Sequence, residues 1–309
     1  MSGRLLRPFF LAFLLISLQN RATAATCSCA GAPLLSFIET SAVEEGDLFL
    51  NYTAEYHEIS DLVSGTENVP DETGRERNSF SHILSGSYAF TDRWSVSALV
   101  SYVEHFRKIN TSFLGETTSS GLGDSVVLTR YTPFAITPFS RHQFSIGAGA
   151  RIPTGDNDSG VGFILSEDMQ PGTGAFGGIV WTSYSHAFNQ AATVQFQASA
   201  NYSYNGENDR EYRFGHEFYF STGMSQSVNT WFSWSAGLRY RKAQADQRTG
   251  FDIPNTGGKW LDFIPALQFN ITDNFSLALS GRYPLWRDLN GALQFTTSYS
   301  YALSLSYAF

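Results

Sequence analysis

Cysteine is nearly absent: two residues in 309 cannot build a disulfide scaffold. Charge is scarce as well, at 16% Asp, Glu, Lys and Arg against about 25% in an ordinary soluble domain. Beyond the N-terminus there is no run of about 18 apolar residues, which excludes helical membrane spans. With pI ≈ 5.2 and no basic patch, nucleic acid is excluded as a partner. The six histidines (57, 82, 105, 142, 186, 216) show no metal-ligand spacing, and no G-x-S-x-G nucleophile motif occurs, so neither a cofactor nor catalytic residues are expected. What is abundant is aromatic: 26 Phe, 15 Tyr and 6 Trp. Mean hydropathy is nevertheless only −0.16. Aromatic-rich, charge-poor and only mildly apolar is the composition of a membrane β-barrel, in which apolar and polar residues alternate and average out.

The first residues read as an export signal. Arg4 and Arg7 precede the apolar stretch 8–18, which is too short to span, and Ala22-Thr23-Ala24 supplies a cleavage site. Residues 1–24 are therefore expected to leave as a signal peptide. Their loss removes three arginines and no acid, taking the charge from −8 to about −11. The alternative to cleavage is a retained N-terminal anchor; residues 25–46 are expected to form a periplasmic leader, with a lipidated Cys27 as the alternative there. Cys27 and Cys29 form a close pair suited to a strained disulfide or a soft metal, though no third ligand is near. The leader's apolar residues suggest a partial plug for a barrel spanning 47–309.

Period-two patterning runs through most of that span. Back from Phe309, the aromatic or apolar positions are Tyr307, Leu305, Leu303, Tyr301 and Tyr299, with Ser and Ala between them. Period two puts the two sets on opposite faces of one strand. One face suits lipid; the other is small and polar. Similar alternation occurs at 47–58, 79–90, 94–103, 143–153, 193–204, 213–224, 231–241, 261–270 and 275–283. Segments 124–131 and 174–186 read as strands by content, but their faces are ambiguous. Short links alternate with long polar ones. The expectation is an all-β, transmembrane, antiparallel up-and-down barrel of about 12 strands, with both termini periplasmic. A soluble β-sandwich would explain the alternation but not outward aromatics on nearly every strand.

On this reading the inward, pore-lining candidates are Asn51, Glu55, Gln143, Arg151, Gln195, Gln197, Asn201, Glu217, Arg239, Asp262, Gln268 and Arg282. Both charge signs occur, so strong ion selectivity is not expected. Arg151, Arg239 and Arg282 either set a field for passing solutes or pair with Asp124, Glu217 or Asp262.

Several short motifs accompany the strands. Gly121-Leu122-Gly123-Asp124 reads as a strand opening. Pro153-Thr154-Gly155 ends a strand, and Gln170-Pro171-Gly172-Thr173-Gly174 precedes the next. Tyr212-Arg213-Phe214-Gly215 follows, then the segment from Pro284 to Asn290-Gly291, then Ser306-Tyr307-Ala308-Phe309. In this order they resemble the patterns of bacterial outer-membrane transporter-like proteins assigned to the MetA-pathway of phenol degradation, over roughly 47–309. The chain departs from them at Arg151, where Lys is usual, and at 175–177, where a Trp-Asp pair is typical.

The resemblance implies an outer-membrane barrel passing small, often aromatic or hydrophobic compounds, with no catalytic residues to carry over. The closing aromatics Tyr307 and Phe309 resemble the signal read by the barrel-assembly machinery. Expected partners are thus outer-membrane lipid, that machinery and a small-molecule solute. The alternatives are a non-conducting structural or surface-binding barrel and a lipid-active outer-membrane enzyme.

Overall fold

The computed structural model describes residues 45–110, 115–134 and 141–309, together with the backbone of Ala25–Thr26. The signal segment and nearly all of the leader, Cys27 and Cys29 included, lie outside the described residues. Each strand places large apolar side chains outward and, over much of the wall, Ser, Gly or Thr inward. That combination gives an antiparallel sheet that can curl shut around a lumen.

Twelve strands do so. They are β1 (Leu48–Glu58), β2 (Arg75–Thr91), β3 (Trp94–Ile109), β4 (Glu116–Leu122 and Ser125–Tyr131), β5 (His142–Ile152) and β6 (Gly177–Ala187). Then follow β7 (Val194–Asn205), β8 (Glu217–Ser227), β9 (Phe232–Ala243), β10 (Gly258–Asn270), β11 (Phe275–Leu289) and β12 (Tyr299–Ala308). Sequential strands pair antiparallel, and β1 pairs with β12 from Phe49↔Ala308 to Glu58↔Tyr299, which closes the barrel. Closure leaves no long free edge, as a sheet in lipid requires.

One end carries tight turns and the C-terminus; the other carries the long connections. Leu84, Val100, Val180, Phe220, Leu267 and Leu279 lie exposed on the outer surface, with Tyr88, Trp94, Tyr204 and Tyr301 among the aromatics there. A continuous apolar belt of this kind is a lipid-facing surface.

Three boundaries differ from the sequence expectation. The β2–β3 hairpin is tall, and β3 pairs with both segments of β4, so Gly123-Asp124 interrupts a strand rather than opening one. Pro284 lies inside β11, opposite Asp262, where a bulge between Leu261 and Asp262 absorbs its missing N–H. Tyr212–Arg213 leaves the wall to pair with Gln247–Arg248, and Phe214 is buried beneath that loop sheet instead of facing lipid.

A second small sheet caps the loop end. Gln294–Thr296 pairs antiparallel with Asp61–Ser64 and, on its other side, parallel with the backbone of Ala25–Thr26. Under it Ile59, Leu62 and Phe295 pack as a small apolar core.

Candidate functional site: the barrel interior

The interior has two unlike halves. In the first, inward side chains of β2, β3, β4 and β6 meet one another: Ile83, Leu99, Val126, Leu128, Ile179 and Trp181 form one buried cluster that also reaches Tyr219 of β8. The inward glycines of β5 make the cluster possible. A Cβ on Gly147 would lie 2.3 Å from the Trp181 indole nitrogen, and one on Gly149 would lie 2.4 Å from Leu128. This also explains the ambiguous faces of 124–131 and 174–186. Both faces of those strands are apolar, one toward lipid and one toward the cluster, so period two fades.

In the second half, formed by β7–β12 and β1, the inward residues are small: Ser199, Ser221, Gly223, Ser235, Gly237, Ser280 and Ser300 line a cavity of ≈ 210 Å³. Gln197, Asn201, Glu55, Arg239 and Arg282 complete its wall. Gln143 and Gln195 are half-buried nearer the turn end, where Gln195 donates to the Ala192 carbonyl at 3.0 Å. Gln268 is exposed and donates to Asn270 at 3.1 Å. Asn51 is buried between Thr53 and Ser306, at 3.1 and 2.9 Å.

Ion pairs run along the inner wall on the loop side of this cavity, between neighbouring or next-neighbouring strands. Arg282 donates to Nδ1 of His57 at 2.7 Å, and His57 Nε2 lies 2.9 Å from a Glu55 carboxylate oxygen. Arg239 pairs with Asp262 at 3.0 Å, and one level up Arg241 pairs with Glu217, which also accepts from the Tyr219 hydroxyl at 2.8 Å. Arg151 contacts Asn205 and lies 3.7 Å from Asp124. Each of the three arginines singled out from the sequence therefore sits beside an acid, directly or through His57.

Above these pairs the 153–176 connection folds inward. Met169 and Gln170 have no exposed surface. Gln170 holds its own loop in shape, accepting from Ser159 N–H at 2.9 Å and donating to the Leu165 carbonyl at 2.9 Å. Asp168 receives Arg77 of β2 at 2.8 Å, with Arg75 and Arg107 each 3.9 Å away. Ser119 of β4 donates to the Met169 carbonyl. Burial pushes the Asp168 carboxyl up, but Arg77 and Arg107 outweigh it and hold the group below the usual carboxylate range. Glu167, also buried, takes a forked pair of bonds from Arg210 at 2.8 and 2.6 Å.

The short motifs meet where this connection leaves and rejoins the wall. Asp124 accepts the Thr173 N–H at 3.0 Å and the Gly155 N–H at 3.3 Å. Thr154 receives the Ser125 N–H at 2.9 Å, and Gly172 donates to the Asp156 carbonyl at 2.8 Å. A Cβ on Gly155 would fall 2.7 Å from both Gly123 and Gly172, so three motifs need glycine for one close approach of backbones. Gly121, Pro153, Pro171 and Gly174 flank the same knot. Asn290 and Gly291 serve a different joint: Asn290 donates to the Thr256 carbonyl at 3.0 Å, and Gly291 turns at φ +81° against Asn255.

Among the curated proteins, no sequence matches. The model of the Putative MetA-pathway of phenol degradation family matches residues 98–288, which run from within β3 nearly to the end of β11 and include the motif knot. The chain belongs to that family. Among solved structures, an outer membrane channel from Pseudomonas putida F1 superposes with a TM-score of 0.69 at 14% identity, covering 88% of this chain and 98% of that one. The β domain of the Bordetella autotransporter BrkA gives 0.49 at 11% identity over 86% and 100% of the two chains. The CymD monoaromatic hydrocarbon channel gives 0.40 at 10% identity over 86% and 88%. The P. putida channel thus shares the fold of this family member.

Sequence reasoning missed Arg77, Asp168, Arg241 and His57. Arg241 and His57 could have been found, since each follows a chosen inward residue at period two. Asp168 could not, because nothing in a loop's sequence says that it folds into a barrel.

Proposed function

We propose that the chain is a passive outer-membrane channel for small solutes of hydrophobic or aromatic character. The observation that carries this is the cavity in the open half. A closed barrel whose inward residues were chosen only for stability would fill that space, as the other half does. Hydroxyls, amides and glycine backbone around Ile264 and Tyr219 would let a slender ring slide without tight binding. Membership in a family named for phenol degradation supports an aromatic solute. The infolded 153–176 connection narrows the path, and the Arg77–Asp168 pair holds it there.

On the same reading, the turn end and the C-terminus face the periplasm and the long loops face outward. Residues 1–24 are cleaved and the leader serves as a partial plug; the pairing of Ala25–Thr26 at the capping sheet sets the start of the mature chain at the loop end, against the expectation of a periplasmic N-terminus. Tyr307 and Phe309, exposed and packed edge to face at 4.6 Å, present the assembly signal.

The test is uptake of radiolabelled phenol by cells carrying or lacking the protein, paired with swelling of liposomes containing it. Faster phenol entry with the protein is expected. Equal uptake, with swelling no greater than a lipid control, would leave a non-conducting barrel.

A further inference from the structure

The outer rim of the loop end carries two rows of outward side chains with opposite charge logic. Across β2, β3 and β4 the aligned residues are Glu76, Lys108 and Glu116, with Lys108 placed between two acids and 3.8 Å from Glu116. Across β8 to β11 the aligned residues are Phe218, Lys242, Lys259 and Asp288. Here lysine faces lysine directly. Like charges opposite one another on antiparallel strands, with Cβ atoms about 5 Å apart, repel. Asp288 relieves Lys259 at 2.9 Å, but Lys242 is exposed and has no ion pair among the described residues.

One residue pair closer to the bilayer, about 6.6 Å down the strands, lies an aligned row of Phe220, Tyr240, Leu261 and Trp286. A surplus cation above an aromatic shelf is complementary to an amphiphile with an anionic head and acyl chains.

We propose that Lys242 and Lys259 bind a phosphate of a phosphorylated glycolipid in the outer leaflet, with its acyl chains against the aromatic row beneath. The phosphate completes the row by placing its charge between two ammonium groups. This rests on the reading that the long loops face outward. The acidic row on β2–β4 offers no such site, because it would hold a phosphate only through divalent cations.

Native mass spectrometry of the refolded full chain in detergent tests this, and it needs neither orientation nor solute flux. The probes are bis-phosphorylated lipid A, the same lipid dephosphorylated, and inorganic phosphate, all in EDTA. One bis-phosphorylated lipid A should be retained per barrel. Binding should weaken about tenfold on dephosphorylation and again in Lys242→Gln/Lys259→Gln, given the modest contribution of each surface lysine. Lys108→Gln should leave it unchanged. Both lysines point away from the barrel, so the double variant should keep its heat-modifiable fold; single Lys242→Gln provides a milder check. Equal retention of lipid A by the double variant, or of the dephosphorylated lipid by the wild type, overturns the proposal. So does inorganic phosphate binding as tightly as lipid A, which would mark a plain anion site.

Discussion

The two halves of the interior solve the same geometric problem differently. A twelve-strand barrel is wider than the eight-strand size that side chains can fill. The β2–β6 side fills its share anyway, with Trp181 and Leu128 seated over glycines of β5. The β7–β12 side leaves its share open behind serines and glycines. Ion pairs and the infolded connection then separate the open space from the loop end. One half thus acts as a braced wall and the other as a candidate passage. Stability should depend on the first and transport on the second.

The sharpest way to break that division is to remove the inward arginines of both halves, Arg151 on β5 and Arg239 and Arg282 on β9 and β11. The triple variant Arg151→Gln/Arg239→Gln/Arg282→Gln should shift reversal potentials toward cations in a salt gradient, as expected of inward arginines. It should also unfold more readily, because Asp262 and Asp124 lose their arginines and Glu55 keeps only His57. Breaking one buried pair costs about 3–5 kcal/mol. Urea unfolding in detergent micelles measures the loss, and an unchanged midpoint would show that the pairs are solvated.

Next in size is the contrast between matched truncations. Trp181→Ala in the packed half should cost about 3–5 kcal/mol, whereas Ser221→Ala in the open half should change stability by under about 1 kcal/mol. The same unfolding experiment reads both, and similar midpoints for the two variants would erase the distinction.

The lipid-facing surface gives a third, smaller effect. Deleting Phe309 or replacing it with Asp should reduce the heat-modifiable barrel recovered from outer membranes. A lipid-facing charge costs up to about 2–4 kcal/mol at mid-bilayer and less near an interface, so most of the loss should come from failed assembly. Wild-type recovery would remove the terminal aromatic from the assembly signal.

The fold was largely legible because lipid imposes a strict rule on one face of every strand. Where the other face is small and polar, as in β1, β7, β9 and β12, the alternation is clean and the inward set reads directly. Where the inward face is also apolar, as at Val126, Leu128, Ile179 and Trp181, the contrast between faces disappears while the strand remains. Glu55, Arg239 and Asp262 were visible as inward positions, but their pairing depends on neighbours far apart in sequence. The infolded connection with Asp168 was illegible, since its partners Arg77 and Arg107 lie on strands some ninety and sixty residues earlier. The glycine motifs marked the knot by composition without revealing that they meet.

A gentler probe concerns the loop end alone. Burial pushes the Asp246 carboxyl up to about 6, against the hydrogen bonds that lower it from the Tyr212 hydroxyl at 2.6 Å and the Gly215 N–H at 2.7 Å. A raised acid stabilises the folded loop fully below its unfolded pKa, and that contribution is lost as pH rises through about 6. Asp168 acts in the opposite sense, its lowered pKa giving stability that is lost as pH falls. Protease resistance of the 244–257 loop should therefore decline from pH 4 to 7, and Asp246→Asn should flatten the curve. An unchanged slope in that variant would assign the pH dependence elsewhere.

The division of the interior is tested most directly by thiol accessibility. In a chain with both native cysteines replaced by serine, single cysteines at Ser235 and Ser280 probe the open half, and at Leu99 and Leu128 the packed half. A small water-soluble thiol reagent should label the first two rapidly in the folded, membrane-embedded barrel, and labelling should slow solute entry. The second two should stay unlabelled until the barrel is denatured. Equal labelling at all four positions, or labelling of the open half with no effect on solute entry, would contradict a braced wall beside an open passage.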